Sequence, residues 1–467
     1  MSVAKDDRKK AKEQAELAKL KVREQKSLAY LKYMSVIIVV LTIVYIADEI
    51  TSNMGVMRPY MIFDLFKIPG ADAAAPEYAS AVSKMAIATI PTYIITALLP
   101  LYKTLSDKFG RKIFLVINTI GMGIGLLICM TCRTYIGFVI GTVFWGFFTP
   151  NDMQVIYIME VAPKAHRAKL CSITKGIGLL SVSLIGVFRT IFYDPANLSS
   201  WRMVYLIPVI IALVIGVACI FLTKETPVYL RRRIEYLETS EEDRQKQADA
   251  AKEEAAKSGG LKAAAKYIFG HRQLKMLLVV LILFECAVAL TGYGAETMLA
   301  YGQSDADMNT FYIIEPVVYA VCAFFSGFLT DWVGRRKSGI IFGIIALLGE
   351  VVFVVAAVLG MNPVLLALAN GIMYGGLWSF SDLLFLVVPS ESAPTEMRAT
   401  VLGLIQYTAI SNMLLTMIIG ILFQFIGSRT IGLLQLAIFV PLMIIVILFV
   451  KKNLKETKDV DLNAITQ

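Results

Sequence analysis

Charged residues are scarce in this chain of 467 residues, and their scarcity argues against a soluble protein. They make up 17% of the sequence, and hydrophobic residues make up 57%, whereas a soluble domain carries about 25% charged residues. Apolar runs of about 20 residues recur along the chain, each long enough to cross a hydrocarbon core of about 30 Å. Because these runs are continuous rather than alternating, they exclude a β-barrel. The sequence therefore predicts an all-α polytopic membrane protein.

Residues that bind metals or perform catalysis are also few. The chain has two histidines, His166 and His271, and six cysteines that all lie in or beside apolar segments. Cys129 and Cys132 form a C-x-x-C pair, but a zinc or redox site would need partner ligands that are not found nearby. No nucleotide loop, nucleophile motif or metal-ligand cluster appears in the sequence. We therefore expect no enzyme activity, no cofactor and no metal.

The excess of basic residues follows a membrane topology. The formal net charge is +9, and 37 of the 45 Lys and Arg residues fall in segments on one side of the predicted membrane. Seven fall on the other side, and Lys175 lies within a helix. The positive-inside rule places the richer side in the cytoplasm. We expect a multi-pass protein of the plasma membrane with both termini in the cytoplasm, acting as a monomer, with the lipid bilayer and no nucleic acid as a partner.

Three charged motifs occur twice in the chain, in the same order. D-K-F-G-R-K from Asp107 returns as D-W-V-G-R-R-K from Asp331, which is 224 residues later. E-V-A-P from Glu160 returns at Glu391 as E-S-A-P, and K-E-T from Lys224 returns at Lys455, both after 231 residues. Such a duplication is typical of transporters built from two homologous membrane halves.

Twelve transmembrane helices are predicted, six in each of two pseudo-symmetric bundles. Their expected ranges are 34–57, 84–102, 113–131, 135–159, 168–192, 202–223, 276–300, 309–330, 338–360, 363–388, 398–426 and 430–450. The resulting domains are a charged cytoplasmic segment (1–33), the first bundle (34–223), a cytoplasmic linker (224–275), the second bundle (276–450) and a cytoplasmic tail (451–467). We expect a surface helix in 1–33 and a mobile outer loop in about 58–83, which contains Pro69-Gly70.

The repeated charges are suited to a gate at the cytoplasmic rim. The glycine of each D-x-x-G motif permits a tight turn, and the aspartate before it can dock on the N-terminus of a neighbouring helix. Arg111 and Arg335 can reach Glu160 and Glu391 at the ends of adjacent helices. A rim network that exists in only one conformation would act as a latch on an inward/outward equilibrium.

These motifs resemble the major facilitator superfamily, and the E-x-A-P-x-x-x-R and K-E-T motifs resemble its sugar-porter and organic-ion branch of metabolite:proton symporters. The resemblance spans about residues 34–458. It implies two six-helix bundles around a central cavity that opens alternately to each side. It also implies a latch of the outward-facing state, and the gate candidates are Asp107, Gly110, Arg111, Glu160, Arg167, Asp331, Gly334, Arg335, Glu391 and Arg398.

The predicted helix 7 departs from the sugar porters. Their Q-Q-x-x-G-x-N motif loses both glutamines here, to Val288 and Ala289, and its Asn becomes Gly294. The helix-4 arginine of proton-linked sugar porters is replaced by Ile140. The Asp–Arg proton switch of that branch therefore does not carry over whole, and hexose transport does not follow from the resemblance.

Ionisable groups inside predicted helices mark candidate proton sites, because such groups are costly in a membrane. Asp48 and Glu49 are adjacent and point about 100° apart, so at most one faces a cavity squarely. Asp48 is favoured because it matches the acidic position of the branch in helix 1. Glu285 is the third candidate for carrying a coupling proton. Glu315 and Glu350 are expected in packing or pairing roles.

Further polar and aromatic residues are candidates for contacting a substrate in the cavity, although each could instead face lipid or pack between helices. Asp152 and Lys175 could pair with each other or contact the substrate directly. The predicted cavity set is Tyr45, Asn53, Trp145, Asp152, Gln154, Lys175, Tyr293, Glu296, Trp378, Asp382, Gln406 and Asn412. Its excess of acids favours a neutral polyol-like or cationic solute.

The leading function hypothesis is a secondary active transporter of a small polar organic solute, sugar-like or cationic, working by proton-coupled uptake. A second hypothesis in the same class is proton-antiport efflux of organic cations or drugs. A third, from another class, is a membrane sensor that transports nothing and docks a partner through its charged segments.

Overall fold

Helices form every element of the described chain. The computed structural model describes residues 2–149, 153–163, 167–240, 242–246, 260–393 and 398–458. The first half contains α2 Met34–Asn53, α3 Arg58–Leu65, α4 Pro76–Ala88, α5 Ile90–Phe109, α6 Arg111–Thr131, α7 Tyr135–Phe148, α8 Met153–Val161, α9 Arg167–Ser181, α10 Leu184–Phe192, α11 Trp201–Val204 and α12 Leu206–Leu222. It is preceded by α1 Ser2–Tyr30 and followed by α13 Pro227–Glu238 and α14 Gly260–Gly270.

The second half repeats this plan. It contains α15 Arg272–Val288, α16 Gly294–Ala300, α17 Asp305–Val333, α18 Arg335–Val358, α19 Pro363–Asp382, α20 Val388–Ser390, α21 Arg398–Gln406, α22 Ala409–Ile426 and α23 Ser428–Asn453. We call the side of the bundle that carries α1 and α13 the inner side, and the opposite side the outer side.

The predicted fold class, an all-α polytopic membrane protein of two six-helix bundles, is confirmed. Within the described residues, ten helical stretches are long and apolar enough to cross a membrane. The other two predicted spans, 84–102 and 135–159, overlap α4–α5 and α7–α8, and residues 150–152 between α7 and α8 are outside the described part of the chain. The long apolar runs form helices because a helix satisfies all its own backbone hydrogen bonds where no water is available.

The prediction of a mobile outer loop in 58–83 is wrong. This segment folds into α3, a short 3₁₀ turn and α4, and Tyr60, Phe63 and Tyr78 are almost fully buried in it. Asp64 accepts hydrogen bonds from Trp201 Nε1 at 3.1 Å and from the Arg202 guanidinium. The buried aromatic side chains and this polar anchor outweigh the turn-forming Pro69-Gly70 on which the prediction rested.

The N-terminal helix α1 packs along α13 on the inner side. Leu20 contacts Leu230 and Ile234 in a small apolar cluster. Four ion pairs flank the cluster, namely Lys21–Glu238, Glu24–Arg231, Glu16–Arg233 and Glu13–Arg244. The expected surface helix is therefore held against the linker helix of the first half.

Candidate functional site

A cavity of about 610 Å³ lies between the two halves. Helices α2, α9 and α10 of the first half face α17 and α19 of the second half across it. On each long helix the lining residues follow a spacing of three or four, which marks a single helix face. The residues on its wall are Tyr45, Glu49, Ser52, Asn53, Val56, Lys175, Leu179, Val182, Ile185, Tyr312, Glu315, Pro316, Tyr319, Ala323, Tyr374, Trp378 and Asp382.

The described residues of the cavity wall carry three carboxylates and one ammonium group. Lys175 of α9 pairs with Asp382 of α19 across the cavity, with Nζ 3.6 Å from Oδ2. Glu49 comes from α2, and Glu315 comes from α17. The partner predicted for Lys175, Asp152, lies outside the described residues. The remaining wall is aromatic and aliphatic, with four tyrosines and Trp378 among its side chains.

The structure reverses the order predicted for the two acids of α2. Glu49 lines the cavity and packs against the face of α9 at Gly178. Asp48 points instead into the first half, where it accepts a hydrogen bond from Gln154 Nε2 of α8 at 2.6 Å. The helical turn of about 100° between neighbours allows only one of them to face the cavity. Asp48 thus has an amide partner within the first half.

Glu315 is the charged residue among the described cavity residues that sequence reasoning did not place on the wall. The sequence places it in a long apolar helix beside Pro316, and it was expected to pack or pair. Its side chain is instead on the cavity wall and only 8% exposed. Its i−3 and i+4 neighbours, Tyr312 and Tyr319, line the cavity too, and this spacing was the signal that could have revealed it.

The outer end of the cavity is closed by contacts between the halves, and the first of these is an ion pair. Arg58 at the start of α3 reaches Glu296 of α16, with Nη2 2.6 Å from Oε1. Arg58 also donates to the Gly292 carbonyl at 2.9 Å and lies over the Tyr293 ring. Glu296 is fully buried, and Tyr78 approaches it at 3.5 Å. We call this group the Arg58 lock.

A second ion pair joins the halves beside the first. Arg189 of α10 is fully buried and contacts the Asp305 carboxylate at 2.5 Å and the Asp305 carbonyl at 2.8 Å. Its guanidinium also contacts Asn309 and lies over the rings of Tyr60 and Tyr193 at 4.3 and 4.7 Å. We call this group the Arg189 lock. The two locks place the buried charges of Glu296 and Arg189 in ion pairs that join the halves on the outer side.

The inner rim of the first half is an ion-pair network within that half. Arg111 Nε donates to Glu160 Oε1 at 3.0 Å, and Thr226 Oγ1 donates to the same carboxylate at 2.5 Å. Glu225 accepts the backbone N–H of Arg111 at 2.8 Å and so caps α6. Gly110, at φ +108°, leaves no space for a Cβ beside Glu225. The N-terminus of α6 is therefore capped by Glu225 of the K-E-T motif.

The inner rim of the second half is its mirror. Arg335 Nη2 donates to Glu391 at 2.8 Å, and Thr457 donates to the same carboxylate at 2.6 Å. Glu456 accepts the backbone N–H of Arg335 at 2.7 Å. Gly334 has φ +91°, and a Cβ there would clash with Glu456. Asp331 pairs with Arg335 at 3.0 Å, and its side chain is largely exposed.

The two capping glutamates, Glu225 and Glu456, make similar contacts, but their pKa values shift in opposite directions. Burial raises the pKa of Glu225, and its backbone N–H donors offset only part of that effect. Burial acts in the same direction on Glu456, but four backbone N–H groups outweigh it and lower the pKa of this carboxyl. The side chains of Asp107, Arg167 and Arg398 lie outside the part of the chain that the structure describes.

Several residues predicted to line the cavity lie elsewhere, and their positions are corrections. Tyr293 and Glu296 belong to the Arg58 lock, because α15 breaks at Val288 and α16 restarts at the outer end. Gln154 bonds to Asp48, and Trp145 packs against Gly125 of α6. Asn412 donates to the Glu285 carbonyl at 3.2 Å, and neither residue is among those lining the cavity. Gln406 ends α21 in an exposed position.

A family model described as Major Facilitator Superfamily matches residues 28–411 of this chain. The chain belongs to the major facilitator superfamily. No curated protein matches the sequence at a significant level. The superfamily's solved structures nevertheless give clear matches to the fold, and the sequence-based recognition is confirmed.

Among these superfamily structures is the xylose transporter XylE from E. coli in an inward-open conformation, 18% identical, with a TM-score of 0.66 over 92% of this chain and 98% of that one. A D-xylose-proton symporter is 18% identical, with a TM-score of 0.67 over 91% and 99%. A POT family transporter in complex with 5-aminolevulinic acid is 14% identical, with a TM-score of 0.61 over 90% and 96%. At such identities the likeness shows the fold alone.

Membership in the major facilitator superfamily makes this chain a transporter and not an enzyme. It also frames the rim motifs. Both described ion pairs, Arg111–Glu160 and Arg335–Glu391, are formed while the outer ends of the halves are in contact, and each lies within one half. The expected latch of the outward-facing state stays a prediction, since three of its side chains, Asp107, Arg167 and Arg398, are outside the described part of the chain.

Proposed function

We propose that this protein is a secondary active transporter that takes up a small polar organic solute together with protons, through the cavity between its halves. One observation carries the proposal: the cavity lies between the two bundles and its wall presents carboxylates from both of them, Glu49 from one and Glu315 and Asp382 from the other. A site shared by both halves is the arrangement that alternating access requires. The fold likeness to a D-xylose-proton symporter agrees with it.

The outer locks support the same mechanism. Buried ion pairs across an interface are stable only while the interface stays closed. Opening the outer side would hydrate the charges of the Arg58 and Arg189 locks and separate their partners. The closed arrangement described above is therefore one end of the transport cycle, and we place the outer side in the extracellular space and both termini in the cytoplasm of a cell with this protein in its plasma membrane.

We assign the coupling proton to Glu49 among the three predicted carriers. Its side chain is on the wall of the cavity, so it meets whichever side the cavity opens to. Asp48 is buried within the first half and bonded to Gln154, and Glu285 lies beside Asn412 off the wall. A carboxyl that moves between a dry and a hydrated environment exchanges its proton as the cavity opens.

Glu49→Gln is expected to abolish proton-driven uptake while leaving exchange at equal pH intact, because glutamine keeps the shape and loses the proton. The measurement uses proteoliposomes, a mixture of labelled sugars, polyols and amines, and an acid-outside pH gradient. Gradient-driven accumulation should fall to the level of protein-free liposomes. Glu77→Gln, an exposed carboxyl on the outer surface, is the matched control and should behave as the wild type.

Other outcomes would separate the alternatives. Full gradient-driven uptake by Glu49→Gln would contradict the assignment of the proton. Accumulation that requires an acid interior would favour proton-antiport efflux. Identical solute contents in wild-type and protein-free vesicles, with or without a gradient, would favour the sensor hypothesis.

A further inference from the structure

We propose that the cavity binds an organic monocation, a small amine or quaternary ammonium compound, with its charge against Glu315 and its apolar body against the surrounding aromatic side chains. This inference rests on the proposed function, since it names the substrate class of the same cavity. It sets aside the sugar-like solute that the sequence left open.

Glu315 has no hydrogen-bond donor among the described residues of the protein. Its carboxyl group is more than nine-tenths buried and faces the cavity, and no described residue donates a hydrogen bond to it. An ionised carboxylate in such a place is costly unless a counter-charge or donors satisfy it. The cation on the wall, Lys175, is paired with Asp382. The charge that Glu315 lacks is therefore one that a ligand would bring.

The net charge of the wall favours the same ligand. Among the described residues of the wall, Lys175 and Asp382 cancel one another, and Glu49 is neutral whenever it carries the coupling proton. When Glu315 is ionised, it gives this part of the wall a single negative charge. A monovalent cation stabilises that ionised form, whereas an anion opposes it, and beside a neutral solute the buried carboxyl takes up a proton instead.

Several hydrogen-bonding groups of the wall already donate to backbone carbonyls of the protein. The Tyr312 hydroxyl donates to the Val56 carbonyl at 3.0 Å, and the Tyr374 hydroxyl donates to the Thr291 carbonyl at 3.2 Å. Asn53 Nδ2 donates to the Glu49 carbonyl at 2.8 Å. A sugar needs several such groups free to read its hydroxyls. What remains for a ligand is chiefly carboxylate, aromatic and aliphatic surface.

The aromatic surface suits the same ligand. Tyr312 and Tyr319 flank Glu315 on one face of α17, and Tyr374 and Trp378 face them from α19. Cations with an apolar shell bind well to tyrosine and tryptophan rings, and most strongly where water is excluded. A buried carboxylate among four such side chains therefore recognises an alkylated ammonium better than a bare metal ion, which demands oxygen ligands.

The test measures binding to the purified full-length protein with a graded series of organic monocations, from ethylammonium through choline to tetraethylammonium. Each cation is paired with its uncharged carbon isostere, such as 3,3-dimethylbutan-1-ol for choline. Dissociation constants come from ligand-induced thermal stabilisation. We expect at least one cation to bind, its isostere to bind about tenfold more weakly or worse, and Glu315→Gln to weaken the cation by about tenfold or more.

Glu350→Gln is the matched control, since Glu350 is a buried carboxyl of the same half that lies off the cavity and accepts a bond from Gln435. It should leave cation binding unchanged. If Glu315→Gln fails to fold, Trp378→Leu replaces it and should weaken cations several-fold with little effect on the isosteres. Trp378 is more than half exposed to the cavity, so its replacement spares the core.

Three results would overturn the inference: no cation in the series binds better than its isostere, Glu315→Gln binds cations as the wild type does, or a sugar stabilises the protein while all cations fail. These results are distinct from failure of the proposed function. Flux of a neutral solute without cation binding overturns the substrate class alone. Cation binding with no flux in proteoliposomes overturns the transport function and leaves the binding site standing.

Discussion

Asp305→Asn is expected to open the outer side of the protein. The substitution leaves the Arg189 guanidinium fully buried with its charge uncompensated, because Asp305 supplies its carboxylate contact at 2.5 Å. Removing one partner of a buried ion pair costs about 3–5 kcal/mol. In the open state Arg189 is hydrated, so nearly all of this cost falls on the closed state, and the closed-to-open ratio should fall by about a hundredfold or more.

The measurement is the distance between spin labels on the outer ends of the two halves. Cysteines at Ala196 and Met361, both exposed outer positions, carry the labels in a background with the six native cysteines replaced. Asp305→Asn should convert a mainly short distance distribution into a mainly long one. Glu77→Gln, on the same outer surface, should leave it unchanged. A short distribution in Asp305→Asn, as in the parent, would mean that the Arg189 lock does not hold the halves together.

Arg58→Met is expected to produce the second large shift toward the open state, because it leaves the buried carboxylate of Glu296 without its cationic partner. Glu296 is fully buried, and its close cationic partner is Arg58 at 2.6 Å, while the Tyr78 hydroxyl is more distant at 3.5 Å. The closed state again loses about 3–5 kcal/mol. The spin-label pair described above should report a majority of open molecules.

A double variant separates charge from packing in this prediction. Replacing both partners of a buried ion pair with apolar residues of similar size is often neutral or stabilising. Arg58→Met combined with Glu296→Met should therefore recover most of the closed population that Arg58→Met loses. A double variant as open as the single one would show that Arg58 acts through its contacts to Gly292 and Tyr293, and the ion pair would not be the lock.

The helices were predictable because local sequence patterns mark where each one begins and ends. The range predicted as 113–131 is observed as Arg111–Thr131, and 338–360 as Arg335–Val358, since a basic rim and a glycine mark each start. The duplicated motifs likewise fixed the ion pairs Arg111–Glu160 and Arg335–Glu391. Charge, spacing and repetition were enough for these features.

The site was harder to predict because it depends on which face of each helix meets another helix. Asp48 and Glu49 are neighbours, and no pattern in the sequence decides which one turns toward the cavity. The role of Glu225 was missed because the K-E-T motif lies 114 residues from the N-terminus of α6 that it caps. The fold of 58–83 depends on the distant residues Trp201 and Arg202, which a local analysis does not bring together.

The central claim, that solute crosses through the cavity between the halves, is tested most directly by plugging it. Ser52 is on the cavity wall and exposed to it, so Ser52→Trp fills the space, whereas Val214→Trp adds the same bulk to an exposed position on α12 that faces lipid. Proteoliposomes of each protein are loaded from one pool of sugars, polyols and amines, and their contents are compared by mass spectrometry. We predict a solute that enters with the wild type and Val214→Trp and is excluded by Ser52→Trp. Equal contents with Ser52→Trp and the wild type would contradict the account.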